Sequence, residues 1–443
     1  MATTAGHAAE AQRMPPDSGV IRTRAVIPTR AVILQELWTL RLWMSDVEKE
    51  RMAQTAIYLD YNATTPPDPG VVEAMLPHLQ AHFGNPSSSH AYGQTARAGV
   101  ARAREQVASL LGCAPEELVF TSGGSESNNN ALIGTALAHR ERGDHIITTD
   151  VEHPSVLATC RYLEGRLGFS ISRLPVDGRG QVDPAAVERA LTPRTILISV
   201  MHANNETGVL QPIPAIATIA RKHGVLMHTD AAQSVGKVPV DVDDLGVDLL
   251  SLAGHKLYAP KGVGALYVRN RTRLDPLIHG AGQEGGRRAS TENVAGLVGL
   301  GQACAIAAER LATDHERLSR LRDRLQRRLE AAGWVVNGHP EARLPNTLST
   351  ALEGADGEEL LRRAPELVAS TGSACHSGRT EPSEVLMAMG VSRRRALGTV
   401  RLSLGRWTSE ADIEQAAAAL IRAGRAALSS TTDLVETGRG PRI

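Results

Sequence analysis

The chain is poor in aromatic residues, carries no excess of charge of either sign and lacks long apolar runs. Aromatic residues make up 3% of its 443 residues, which disfavours a surface that stacks nucleic-acid bases. Lysine plus arginine and aspartate plus glutamate each number 48, so the formal net charge is zero. That balance removes the global electrostatic argument for nucleic acid or an acidic membrane as a partner. We therefore expect neither direct nucleic-acid binding nor membrane association.

Cysteine is also scarce, and the four thiols at positions 113, 160, 304 and 375 form neither CxxC pairs nor a regular disulfide spacing. A reducing, cytoplasmic compartment is the simplest interpretation. No apolar run reaches the 18 residues that a membrane-spanning helix needs, and no secretory-signal layout is visible. We predict no metal site.

The pattern along the chain predicts an α/β fold. From about residue 115 to 270, short apolar runs alternate with amphipathic stretches, which indicates a mostly parallel sheet covered by helices on both faces. A long helical stretch then leads to sparser strands and a final helix. We predict a large domain over 56–312 and a smaller C-terminal α+β domain over 313–430, with flexible segments at 1–55 and 431–443. Residues 56–68 are a candidate for packing on the small domain.

Two apolar runs end in a carboxylate and in a lysine. The first ends at Asp230, and the second ends in a turn that presents His255 and Lys256. A strand-end lysine that forms a Schiff base, with an aspartate for the pyridine nitrogen, suits an enzyme that holds pyridoxal phosphate (PLP). A surface lysine after a buried strand explains the two segments equally well.

Further polar residues follow other predicted strands, where ligands bind in such sheets. The glycines of the segment 121–127 and the helix that it opens suit a phosphate cradle, or an ordinary capped turn. His153 could stack on a flat heterocycle or be structural. Asn205 could bond a phenolic oxygen or be a turn asparagine. The glycine- and arginine-rich loop 283–293 could contact phosphate or simply start a helix.

Cys375 and Arg401 complete the candidate site. Cys375 lies among glycines and serines in a predicted loop, and an accessible thiol in a mobile loop suits a nucleophile that visits a substrate and leaves. Arg401 alternates with apolar neighbours on a predicted strand, where it could clamp a substrate carboxylate or form a structural ion pair.

Nine motifs, in one order, resemble the cysteine desulfurases, which are class V members of the fold-type I PLP enzymes. The resemblance covers about residues 56–425. Its GSAC loop, rather than an RxGHxC motif, is similar to the desulfurase group that feeds general iron–sulfur assembly and tRNA thiolation. The motifs are YLDYNATTP (58–66), GNPSSSH (84–90), FTSGGSESNN (120–129), EHPSV (152–156), NNETG (204–208), DAAQSVGK (230–237), AGHKLYAPKG (253–262), GRRASTEN (286–293) and GSACHSG (372–378).

The resemblance implies a role for each matching residue. The catalytic set is the Schiff-base lysine, the persulfide-carrying thiol and the stacking imidazole: Lys256, Cys375 and His153. The cofactor set binds the pyridinium nitrogen, the phenolic oxygen and the phosphate, with Thr291 acting from the partner subunit: Asp230, Asn205, Gln233, Gly124, Ser125, His255 and Thr291. Arg401 and Asn205 would bind the substrate. Ala253, Ser125 and Gly285 depart from the common pattern of serine, threonine and arginine.

The implied activity is removal of sulfur from L-cysteine, which yields L-alanine and a persulfide on Cys375. The resemblance also implies a homodimer with composite active sites and a sulfur-acceptor protein, such as an iron–sulfur scaffold or a thiolation enzyme. Two alternatives stay open. A selenocysteine lyase uses the same scaffold and shares the Ala-Cys-His-Ser stretch, and a non-catalytic scaffold protein would bind assembly partners without turnover.

Overall fold

The structure is a computed structural model that describes residues 56–372, 374–376 and 379–436. For residues 374–376, 379, 380 and 430–436 it describes the backbone alone. The predicted N-terminal segment 1–55 lies outside the described residues, and so does the end of the predicted tail.

Fourteen short strands are seen in the described residues: β1 (Ile57–Tyr58), β2 (Leu118–Thr121), β3 (His145–Thr149), β4 (Ser170–Leu174), β5 (Thr195–Ser199), β6 (Leu226–Asp230), β7 (Leu249–Ala253), β8 (Gly264–Val268), β9 (Val335–Asn337), β10 (Thr347–Ala351), β11 (Leu367–Val368), β12 (Ala374–His376), β13 (Arg379–Glu381) and β14 (Thr399–Ser403).

The helices cover both faces of the main sheet and the C-terminal region. A π-helical turn, Asn130–Gly134, joins α3 to α4, and Gly254–Lys256 forms a 3-10 turn after β7. The α-helices are α1 (Pro69–Gln80), α2 (Ala91–Leu111), α3 (Gly124–Asn129), α4 (Thr135–Ala138), α5 (Pro154–Leu167), α6 (Pro184–Ala190), α7 (Ile213–Lys222), α8 (Val242–Leu245), α9 (Val294–Glu330), α10 (Gly357–Arg362), α11 (Glu384–Ala388), α12 (Arg393–Leu397) and α13 (Glu410–Glu436).

The main sheet has seven strands in the order β2-β8-β7-β6-β5-β3-β4. Strands β4, β3, β5, β6 and β7 run parallel, whereas β8 is antiparallel to both of its neighbours. Every residue of β3, β5, β7 and β8 is buried, as expected of strands with helices on both faces. The predicted α/β fold with a mostly parallel sheet is therefore confirmed.

Helix α9 runs from the main core toward the C-terminal region. It begins at the cap Asn293, whose Oδ1 accepts the N–H of Gly296 at 3.2 Å. By length and composition this helix could cross a membrane, but 56% of its most apolar window is buried inside the structure. Burial of that kind is what a core helix needs, because its apolar side chains then face protein rather than water.

The C-terminal region has its own apolar cluster, built around the antiparallel sheet β14-β10-β9. Ile57 and Leu59 belong to this cluster, since β1 pairs in parallel with β11. The start of the described chain thus packs among C-terminal residues. The predicted domain boundary at 312/313 falls within α9 and stays a prediction.

Candidate active site

A cavity of about 630 Å³ lies at the carboxyl ends of the central parallel strands. Loops after five strands form most of its wall, and the segment before α1 and strand β14 supply the rest. Open α/β sheets bind ligands at this edge. The predicted site residues that line it are Gly124, Ser125, His153, Asn205, Asp230, Gln233, His255, Lys256 and Arg401.

Lys256 ends the 3-10 turn that follows β7, so its side chain enters the cavity from the sheet edge. Its Nζ donates to the backbone oxygens of Asn62 at 2.5 Å and Ala63 at 2.8 Å. Burial and the nearby charge of Arg401 lower the pKa of Lys256 to about 8, against the opposing charges of Asp60 and Asp230. The amine is therefore far more available in its neutral, nucleophilic form than an ordinary lysine.

Asp230 is held at the end of β6 by donors on both oxygens. Its Oδ2 accepts Nδ2 of Asn128 at 2.7 Å, and its Oδ1 accepts the N–H of Ala232 at 3.0 Å. The same Asn128 amide donates to Ser155 Oγ at 2.9 Å. The carboxylate is thereby fixed in one orientation at the cavity wall, as a partner for a protonated ring nitrogen must be.

His153 caps α5 and is bound to the same network. The N–H of Ser155 donates to its Nδ1 at 3.2 Å, and Ser155 Oγ lies 2.7 Å from that nitrogen. Burial is the main cause that lowers the pKa of His153; Lys256 adds to the effect and Asp230 opposes it. The ring is therefore neutral and anchored by Nδ1, which leaves its face and Nε2 for the cavity.

The segment between β2 and α3 forms a cradle at one end of the cavity. Gly123 has a φ of 148°, which side chains rarely adopt, and a Cβ on Gly124 would lie 3.2 Å from Ala253 Cβ. Burial alone would raise the pKa of Glu126, but hydrogen bonds from Arg288 and Ser122 outweigh it and lower that pKa. Arg288 thus balances the one carboxylate in the cradle.

Among the predicted site residues whose side chains the structure describes, Thr291 is the one that does not line the main cavity. It lines a neighbouring cavity of about 170 Å³, together with Arg288 and with Ser122 and Gly262, which line both cavities. Thr291 was predicted to bind the phosphate at the site of a partner subunit. That prediction concerns a dimer and stays a prediction.

Arg401 lies on β14 and forms an ion pair. Its Nη2 donates to Asp60 Oδ1 at 2.7 Å, and its Nη1 donates to the backbone oxygen of Asn205 at 3.2 Å. Asp60 Oδ2 in turn accepts Ser370 Oγ at 2.8 Å. The structural alternative for Arg401 is thus present in this structure, although the guanidinium also lines the cavity.

Cys375 lies in the hairpin β12–β13, paired through its backbone with Thr380. Its thiol, with the other side chains of residues 373–380, lies outside the described residues. The base of the hairpin is described: Ser383 Oγ donates to Glu206 Oε2 at 2.5 Å, and a Cβ on Gly372 would lie 2.3 Å from that same oxygen. Glu206 therefore contacts both stems of the hairpin and follows the cavity residue Asn205.

The other three cysteines are poor candidates for sulfur transfer. Burial raises the pKa of Cys113, Cys160 and Cys304 to about 12 in each case. Because the thiolate is the nucleophile, these thiols are inert at neutral pH.

Two of the predicted departures have a local explanation. Ala253 ends β7, lines the cavity and is 3% exposed, so it offers a methyl group there and no hydroxyl. Gly285 has a φ of 64°, and nothing lies within 4 Å of a Cβ built there. An arginine at this position would have room but would need a backbone conformation that side chains rarely adopt.

Sequence reasoning missed the residues that hold the predicted ones in place. Asn62 and Asp60 come from the segment before α1, Asn128 from α3 and Lys237 from the turn after β6. All four fall inside the motifs of the resemblance, yet their side chains had no assigned partner. Only the fold brings residue 60 next to residue 401.

Comparison with known proteins places this site in a family. The aminotransferase class-V family matches residues 57–416, so the chain belongs to that class. Cysteine desulfurase IscS of Dictyoglomus turgidum is 48% identical over 81% of this chain and 91% of its own length. The human cysteine desulfurase is 46% identical over 81% of this chain and 79% of its own length. The chain belongs to the cysteine desulfurase family.

Solved structures agree with this assignment. A NifS-like protein superposes with a TM-score of 0.78 at 38% identity, over 84% of this chain and 98% of that one. A structure named SspA in complex with cysteine gives a TM-score of 0.71 at 39% identity, over 80% and 100%. The family is an enzyme family that depends on PLP, and the predicted family, fold and enzyme class are confirmed.

Proposed function

We propose that the chain is a PLP-dependent cysteine desulfurase that takes sulfur from L-cysteine onto Cys375 and releases L-alanine. The observation that carries the proposal is the pair at the cavity wall. Lys256 has its pKa lowered to about 8, and Asp230 faces the same cavity with both oxygens fixed. A scaffold protein without turnover has no need of that pair.

The residues present fit PLP. The cavity is lined by the segment 122–125 at the start of α3, by the fixed carboxylate of Asp230 and by the anchored imidazole of His153. When bound, PLP supplies an electron sink for bonds broken at the substrate's carbon atoms. Gly124, Ser125 and His255 would hold its phosphate, Asp230 its ring nitrogen, and Asn205 and Gln233 its phenolic oxygen.

Lys256 would both hold the cofactor and move protons. Its Nζ follows a 3-10 turn and donates to two backbone carbonyls, so the amine is already oriented before the cofactor binds. With a pKa of about 8, the group can give and take a proton near neutral pH, which is the condition for general acid–base catalysis.

Arg401 would bind the substrate carboxylate. To do so it would share or exchange its ion pair with Asp60, which lies 2.7 Å away. An α-carboxylate can offer two oxygens to the guanidinium, whereas Asp60 offers Oδ1 alone because its Oδ2 accepts Ser370 Oγ. Binding would thus keep the guanidinium paired with a carboxylate.

Cys375 would accept the sulfur. A bond forms between its Sγ and the substrate sulfur while the substrate's carbon–sulfur bond breaks, and the carbon that loses sulfur gains a proton to become the methyl group of alanine. The thiolate is the required form. The persulfide would then pass to an acceptor protein, for iron–sulfur cluster assembly or thiolation.

A homodimer would complete the site. Thr291 lines a cavity next to the cradle rather than the cradle itself, which suits a residue that serves the partner's phosphate site. Light scattering on the active enzyme is expected to give twice the mass of the chain, and a fully active monomer would refute this assignment.

Lys256→Ala tests the proposed function. Purified wild-type protein is expected to be yellow, to retain PLP on the lysine after borohydride reduction, and to make alanine and sulfide from L-cysteine. The variant should lose all three properties. Lys222→Met, at an exposed lysine paired with Glu188, is the matched control and should keep them. Retention of reducible cofactor by Lys256→Ala would refute the assignment, and a sulfur-to-selenium activity ratio separates desulfurase from selenocysteine lyase.

A further inference from the structure

A second lysine lies behind the cavity and has no part in the mechanism above. Lys237 follows β6 by seven residues and donates from Nζ to Gln233 Oε1 at 2.9 Å and to Asn62 Oδ1 at 3.3 Å. Neither acceptor is a carboxylate, so the lysine is not held by an ion pair here. A partly buried lysine without a counter-ion is costly to keep, which indicates a specific use.

Both acceptors of Lys237 are linked to Lys256 through the backbone oxygen of Asn62. The backbone oxygen of Asn62 accepts Lys256 Nζ at 2.5 Å and also Gln233 Nε2 at 3.0 Å. Lys237 therefore contacts the side chain of Asn62, while Lys256 contacts its main chain. Gln233 also links the two lysines, because it accepts a hydrogen bond from Lys237 and donates one to the oxygen that accepts Lys256.

The orientation of the Gln233 amide depends on this arrangement. Its Oε1 faces the donor Lys237, and its Nε2 faces the acceptor Asn62. An amide has two N–H donors, so the second N–H of Nε2 is left for the cavity that Gln233 lines. Without a donor at Lys237, Oε1 would lose its hydrogen bond, and the bond from Nε2 to Asn62 would have to fix the amide alone.

Asn62 is less dependent on Lys237. It is 1% exposed, and Asn346 Nδ2 donates to the same Oδ1 at 3.1 Å, while its own Nδ2 donates to Thr347 Oγ1 at 2.8 Å. The loss of Lys237 would therefore affect Gln233 first.

We infer that Lys237 is a positioning residue of the reactive site, which fixes the Gln233 amide so that an N–H faces the cofactor and helps to hold the Asn62 carbonyl against Lys256. The inference rests on the proposed function, because Gln233 would address the cofactor's phenolic oxygen.

The lowered pKa of Lys237 agrees with a role as a hydrogen-bond donor rather than as a positive charge. Burial, and then the charges of Lys256 and Arg401, lower the pKa of Lys237 to about 7. A neutral amine still has two N–H groups, one for each of its two acceptors. Lys237 can thus hold both groups without adding a full positive charge beside Lys256.

A double-mutant cycle tests the inference on PLP-loaded protein. Lys237→Met keeps the length and removes the donor, Gln233→Leu removes the acceptor, and the two are combined. We expect Lys237→Met to move the pH midpoint of the visible absorption band and to lower kcat by about tenfold or more, the effect of a small misplacement at a reacting centre. In the Gln233→Leu background it should add nothing to either quantity.

The results that would overturn this inference differ from those that would overturn the proposed function. Additive effects in the double variant, or an unchanged band and kcat in Lys237→Met, would overturn the inference. Lys237→Gln keeps an amide donor and is expected to restore the band; it also serves if the methionine variant does not fold, and a band displaced as far as in Gln233→Leu would then count against the inference. Wild type and Lys222→Met must load PLP and turn over, since their failure would overturn the proposed function instead.

Discussion

The two walls of the cavity are built in different ways. The sheet-side wall comes from strand ends, and two of its groups, Asp230 and His153, are held by neutral donors: Asn128 binds Asp230, and Ser155 binds His153. The opposite wall comes from the segment before α1 and from β14, and it is held by charge, since Arg401 pairs with Asp60. One wall is fixed before any ligand arrives, whereas the other must exchange a partner.

This difference matches two different tasks. A resident cofactor needs a preformed site with few adjustable groups. A substrate that enters and leaves in each cycle needs a site that can pair, release and pair again. The two walls should therefore respond differently to substitution: sheet-side changes should alter the cofactor, and changes on the opposite wall should alter substrate affinity.

Arg401→Lys should have the largest effect among the changes that distinguish the two walls, because it should alter substrate binding and leave the cofactor unchanged. A lysine keeps the positive charge but loses the two-pronged contact with a carboxylate. We expect KM for L-cysteine to rise by about tenfold to a hundredfold, in line with the roughly 1.5–3 kcal/mol of a hydrogen bond to a charged group. Steady-state kinetics measure the rise, and the visible band should keep its position. A lost or displaced band would mean that the walls are not independent.

The lowered pKa of Lys256 predicts a smaller effect, on stability. The folded value is about 8, and the unfolded value is about 10.4. Between these values the unfolded chain binds more protons, so stability rises with pH, by at most about 1.4 kcal/mol per pH unit for this group. Below about pH 8 the contribution is flat.

The measurement is the melting temperature of cofactor-free protein across that pH range. Lys256→Met should show a shallower rise than wild type between about pH 8 and 10.4, while Lys222→Met should follow wild type. Identical slopes in wild type and Lys256→Met would show that the amine titrates normally and that the sheet-side wall does not activate it.

Removal of residues 1–51 should have the smallest effect. This segment lies outside the described residues, and its composition lacks the periodicity needed to bury a face. A protein that starts at Met52 is expected to fold, bind PLP and turn over as the full chain does. An insoluble or inactive product would show that the segment belongs to the fold.

Much of the fold could be predicted because its strands are buried on both faces. Runs such as residues 196–198, Ile-Leu-Ile, are apolar without interruption, and that pattern is typical of parallel strands between helices. Strand β4 was not predicted, because its sequence Ser-Ile-Ser-Arg-Leu has no run of apolar residues and only Leu174 in it is buried. It lies at one edge of the sheet, whereas β2 at the other edge is buried throughout.

The site also has one part that could be predicted from the sequence and one part that could not. Lys256, Asp230 and His153 were predictable because strand ends in one parallel sheet converge on one edge. The residues that hold the site residues in place were not predictable, because their contacts join residues far apart in sequence. Asp60 pairs with Arg401 across 341 residues, and Asn62 contacts Lys256 across 194. No local pattern carries such pairings.

The central claim is that the Lys256 site delivers sulfur to Cys375. Its most direct test is peptide mass spectrometry after brief exposure of PLP-loaded protein to L-cysteine. Wild type should gain the mass of one sulfur atom on the peptide that contains Cys375, and Lys256→Ala should not. Cys375→Ser should keep its colour but make neither persulfide, alanine nor sulfide, because a hydroxyl cannot accept the sulfur. Normal turnover by Cys375→Ser, or a sulfur adduct on Cys113, Cys160 or Cys304 instead, would contradict the account.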